Sequence, residues 1–175
     1  MVLMGLLALP AMRHLLERVM PLHMLVQIPL LAVAGGLLAA SMPRQWKQRV
    51  AGWNANGISG TLMALIASSW WMVPRALDWT LVSPAMETMK FVSLPLFVGA
   101  PIALSWSPLG AMGRGLVIAN VLPMWAVVGW LYVAAPVRVC NFYLVEQQVA
   151  AGAGLLAATV AVSLVAGAAA FARSR

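Results

Sequence analysis

No formal charge occurs between Arg18 and Arg44. A stretch of that length, wound as an α-helix at about 1.5 Å per residue, crosses the roughly 30 Å hydrocarbon layer of a bilayer. The run from Pro21 to Ala40 therefore predicts a membrane span. Near its start it carries His23 and Gln27 one helical turn apart, with Met20 and Met24 on the same face. Polar and sulfur-bearing groups thus stand where lipid favours leucine, which makes this turn the first candidate for function.

The rest of the chain continues in the same manner. Only 9% of the 175 residues are charged and 63% are hydrophobic, against about 25% charged in an ordinary soluble domain. A water-soluble fold of this size could not cover its own surface. The expected architecture is all-α: one polytopic membrane bundle over residues 1–175, with spans at about 21–41, 57–73, 90–107, 115–135 and 149–172. Tryptophans and arginines mark its edges, as in Trp46-Lys47-Gln48-Arg49 and Trp70-Trp71-Met72-Val73-Pro74-Arg75. Met1 to Met12 are apolar but short, contain Pro10, and lack the basic start and small-residue cleavage site of a secretory signal. Ala11 to Met20 is expected to lie at the interface as a partly amphipathic helix, a signal anchor being the alternative.

A net charge of +7 would raise nucleic acid as a partner of a soluble protein. Here the basic residues flank apolar runs, so membrane lipid is the expected partner and nucleic acid is not. Arg44, Lys47, Arg49, Arg114, Arg173 and Arg175 fall on one side of a five-span bundle. Arg13, Arg18, Arg75, Lys90 and Arg138 fall on the other. The slight excess places the C-terminus in the cytoplasm, in a bacterial inner membrane. Cys140 is the only cysteine, which rules out an internal disulfide framework. No CxxC, HExxH, Walker loop or dinucleotide-binding glycine pattern is present, so no enzymatic reaction is indicated. Inverted repeats and intramembrane charges, the usual marks of a transporter, are not apparent either.

The same topology puts His14, His23, Asp78, Glu87, Cys140 and Glu146 on one face of the membrane. Imidazole, thiolate and thioether are the ligands that suit copper(I). A metal site of His23 with Met20 and Met24, and Glu87 or Gln27 orienting the imidazole, is chemically reasonable. Against it stand plainer roles. Methionine fills gaps in apolar cores, and a histidine at the end of a span hydrogen-bonds a neighbouring helix or interfacial water. His14 reads as interfacial and Cys140 as inert, while Glu87 and Lys90 are spaced to pair with each other. Haem ligation would need two opposed buried histidines, which the positions of His14 and His23 do not provide.

His23-Met24-Leu25-Val26-Gln27, followed by Pro29-Leu30-Leu31 and Gly35, resembles the histidine-bearing helix of the CtaG-like cytochrome c oxidase assembly family. Trp71-Met72-Val73-Pro74, Asp78, Glu87 and the apolar run to Gly99 and Trp106 are similar to that family's next segments. The resemblance covers Leu22 to Trp106. It departs at Gln27, where the family has a second histidine, and at Glu87-Thr88-Met89-Lys90, where the family has a Glu-His pair. It implies a membrane accessory or assembly protein of a respiratory haem-copper oxidase, with copper as the possible cofactor. The competing expectations are a non-catalytic structural subunit of a larger respiratory complex, packing through its small-residue last helix, and a haem- or quinone-associated subunit.

Overall fold

Pro10, Pro21, Pro74 and Pro84 each stand in the first turn of a helix, where the missing amide hydrogen breaks no hydrogen bond. The computed structural model describes residues 2–173 and has no strand among them. Its helices are α1 (Val2–Ala8), α2 (Pro10–Glu17), α3 (Met20–Ser41), α4 (Arg44–Trp53), α5 (Ile58–Trp71), α6 (Pro74–Thr80), α7 (Pro84–Trp106), α8 (Ala111–Ala134) and α9 (Val145–Arg173). Four of them, α3, α7, α8 and α9, are long and apolar enough to cross a bilayer. The protein is an all-α membrane bundle. Met1, the first residue of the apolar start, and Ser174 and Arg175, of which Arg175 entered the charge count above, lie outside the described residues.

The second expected span is shorter than its neighbours. At 14 residues, α5 reaches only about 21 Å, against roughly 30 Å of hydrocarbon. Gly57 sets its start: a left-handed φ of 71° turns the chain out of α4, and a Cβ there would meet the Ser105 carbonyl oxygen at 2.6 Å. Pro74 sets its end. The basic connection before it, expected only as a boundary, forms α4, whose Trp46 and Trp53 are exposed and whose Arg49 lies 5.3 Å over the Trp46 ring. Lys47 Nζ donates to the Ala40 carbonyl at 2.8 Å and so caps the end of α3.

Two widened, π-type turns bring α3 and α7 together. One spans His23–Gln27, just before Pro29, and the other spans Leu94–Gly99 around Pro95. Proline leaves carbonyls without their usual amide partners, and a wider turn is one way a helix accommodates that loss. Gly35 faces the Pro95 backbone and Gly99 faces the Ala32 backbone, so the two helices touch main chain to main chain. Farther along, α8 and α9 form an antiparallel hairpin in which Gly129 meets Gly152. Between the hairpin and the α3–α5–α7 layer lies an apolar cavity of about 350 Å³, lined by residues including Met24, Ile28, Trp71, Leu94, Met124 and Trp125.

Candidate functional site: a closed ionic cluster

Lys90 stands inside the apolar stretch of α7, fully buried. A lysine in that position needs partners, and it finds three. Its Nζ donates to Glu17 Oε1 at 2.7 Å and to Gln27 Oε1 at 3.0 Å, and lies 3.4 Å from His23 Nε2. The π-type turn of α3 supplies both His23 and Gln27, and both are completely buried. Gln27 Nε2 in turn donates to Glu17 Oε1 at 3.0 Å.

The far side of the imidazole completes the circuit. His23 Nδ1 lies 2.8 Å from Tyr143 Oη, and that hydroxyl donates to the Glu17 carbonyl oxygen at 3.0 Å. An ammonium only donates, so Nε2 must be the acceptor; the proton of a neutral ring is thereby assigned to Nδ1, facing Tyr143. The chain of hydrogen bonds starts and ends on Glu17. A second ion pair, between Arg13 and Glu87, stands beside the first. Arg13 and Glu17 on α2 thus oppose Glu87 and Lys90 on α7 with complementary charge, forming two rungs between the helices.

Burial alone pushes the Glu17 carboxyl up, but the hydrogen bond and charge of Lys90, with help from Gln27, hold it below its ordinary value of 4.5. Burial pushes the Tyr143 hydroxyl up, and the Glu17 charge adds to that effect. Tyr143 therefore acts as a neutral hydrogen-bond link.

The sequence candidates are placed as follows. His23 is at the centre, with each ring nitrogen facing a partner. Met20 is in the apolar core and Met24 lines the cavity. Glu87 pairs with Arg13, and the carboxylate that reaches the cluster is that of Glu17. Lys90 pairs with Glu17 across the bundle; the expected pairing with Glu87 gives way because each residue meets an opposite charge on α2. His14 is exposed. A metal on Nε2 would have to displace the Lys90 ammonium. Among the described residues no three His, Cys, Asp or Glu side chains come together around a common point, so a metal at His23 would depend on the methionine sulfurs.

Lys90, Glu17, Tyr143 and Arg13 were not among the sequence candidates for a site. The available signal was Lys90 itself, which corrects the expectation of no intramembrane charge: placed at the very edge of the expected 90–107 span, it lies inside a helix that begins at Pro84, and a lysine there must be answered from another helix.

Two further polar groupings flank this one. Asp78 Oδ2 accepts from the Asn141 amide nitrogen at 2.7 Å and from Asn141 Nδ2 at 3.3 Å, fastening the α8–α9 connection to α6. Next to it, Cys140 is buried with its Sγ 3.9 Å from Tyr132 Oη. Burial, reinforced by the Asp78 charge, pushes the Cys140 thiol up to about 11. A maleimide is expected to react about tenfold or more slower with the native protein at pH 8 than with protein unfolded in SDS; equal rates would show the thiol to be open. At the opposite end of the bundle, Asn54 Nδ2 donates to Ser105 Oγ at 2.9 Å and Asn54 Oδ1 accepts from the Gly60 amide at 3.0 Å. Between the two ends lies the apolar cavity.

No protein-family model, curated protein or solved structure matches this chain.

Proposed function

We propose that this chain is a non-catalytic membrane accessory protein in which the ionic cluster locks the N-terminal helices onto the bundle. The observation that carries this reading is the closure of the network: each polar group around Lys90 is answered by another group of the same chain. No nucleophile is left activated and no ring nitrogen is left open. A relay across the membrane is also disfavoured, because the hydrogen bonds return to Glu17 and the apolar cavity separates them from the Asn54–Ser105 pair.

The complex such a protein serves is read from the resemblance of Leu22–Trp106 to oxidase assembly proteins: a respiratory haem-copper oxidase in a bacterial inner membrane. The small excess of basic residues puts the C-terminus in the cytoplasm. Copper handling at His23 is the second reading, favoured by Met20 and Met24 in the adjoining turns and by the 3.4 Å separation between Nε2 and Lys90 Nζ, the longest contact in the cluster.

Purification in mild detergent of a tagged chain at native abundance tests both. The accessory reading expects co-purification with subunits of one membrane complex at fixed stoichiometry, and the same copper content in wild type and His23→Ala. Recovery of the chain alone would contradict the accessory role. One copper per chain, lost in His23→Ala, would replace the lock by the copper site.

A further inference from the structure

Asn120 is the tenth residue of the 24-residue helix α8 and sits about 4 Å from its midpoint. It is therefore close to the centre of the hydrocarbon layer. Its side chain is exposed and forms no hydrogen bond with any described residue. Three positions on, Pro123 lies inside the helix and brings no amide hydrogen to the carbonyl of Ala119, which is also exposed. One spot on the lipid-facing side thus presents a carboxamide with no partner among the described residues and a carbonyl that Pro123 deprives of its usual amide donor, in a medium with no water to serve either. Leu116, Asn120, Pro123, Val127 and Trp130, spaced alternately four and three residues apart, form an exposed stripe through this spot. That spacing is the seam of a helix pair, where a single asparagine sets register.

We propose that α8 pairs with α8 of a second copy of this chain, crossing at Asn120. Two copies inserted the same way are related by a two-fold axis along the membrane normal, so each residue on the axis meets its own counterpart at equal depth. A carboxamide both donates and accepts, and is therefore complementary to itself. One N–H of each Asn120 reaches the carboxamide oxygen of its counterpart. The other reaches the counterpart's Ala119 carbonyl, which lacks the amide donor that Pro123 cannot supply. Any other partner helix would need a donor and an acceptor at this same depth, whereas a second copy brings both by symmetry.

The test is energy transfer between fluorescently labelled copies of the full chain in phosphatidylcholine vesicles, across a series of protein-to-lipid ratios. Wild type is expected to dimerise reversibly, Asn120→Leu to associate about tenfold more weakly, and Asn120→Gln to retain most of the affinity. Because the position faces lipid, Asn120→Leu should leave the fold intact, checked by an unchanged resistance to SDS. A wild-type protein that stays monomeric at every ratio, or an Asn120→Leu variant that dimerises as wild type does, would overturn the proposal. So would capture of a different membrane protein, lost in Asn120→Leu, by a chain that does not self-associate.

Discussion

Glu17→Gln is expected to cost about 3–5 kcal/mol of bundle stability, the usual result of stranding one member of a buried ion pair. The substitution keeps the shape and an acceptor oxygen at 2.7 Å from Lys90 Nζ, but removes the carboxylate paired with a fully buried ammonium. Lys90→Met should be milder, since the Glu17 side chain left behind is 13% exposed and can draw on water. Replacing both, as Glu17→Gln with Lys90→Met, removes the charge problem along with the pair. The double variant should lose less than the sum of the singles, with a coupling of about 1–3 kcal/mol. SDS titration of the protein in mixed micelles reads all three. The pH dependence has a definite sign. The carboxyl is held below its ordinary 4.5 in the folded state, so the stability it contributes is full above that value and is lost as pH falls through the lowered one. Additive single and double losses would mean that the two residues do not act as a pair.

Gly99→Ala is the second large effect. A Cβ at Gly99 would run into the backbone of Ala32, and one at Gly35 into the backbone of Pro95. Neither obstacle is a side chain that can rotate away. The α3–α7 crossing would have to open, at a cost at or above the top of the roughly 1–3 kcal/mol seen for overpacked cores. His23 and Gln27 on α3 would then move away from Lys90 on α7, so the ionic cluster should loosen together with the crossing. Gly167→Ala is the control, because a Cβ there meets nothing within 4 Å. It should be neutral or gain up to about 1 kcal/mol from better helix propensity. Equal SDS resistance in Gly99→Ala and Gly167→Ala would show that α3 and α7 are not held by backbone contact.

Hydropathy made the architecture legible. Uncharged runs the length of a bilayer leave an apolar chain few choices, and the four long helices follow from them. The shortness of α5 and the helicity of α4 were not visible in that way, because both depend on the left-handed turn at Gly57 and on the packing of Asn54 and Ser105 around Gly60. At the site, His23 stood out because a histidine in a lipid span is costly. Its partners did not. Glu17 and Lys90 are 73 positions apart, and Tyr143 is 120 positions from His23. Spacing along one helix favoured Glu87 with Lys90, whereas folding presents each with an opposite charge on α2. Asn120 carried its signal in the sequence, as an amide in the middle of an apolar run. Its meaning required knowing that it faces away from the bundle.

The state of the His23 ring is the most direct probe of the closed cluster. Histidine labelled with ¹⁵N in lipid-reconstituted protein, in a His14→Gln background so that one residue reports, gives the protonation of each ring nitrogen by solid-state NMR. A neutral ring with the proton on Nδ1, and Nε2 bare and accepting from Lys90, is the predicted result. A proton on Nε2, a doubly protonated ring, or a metal-shifted Nε2 resonance would contradict it.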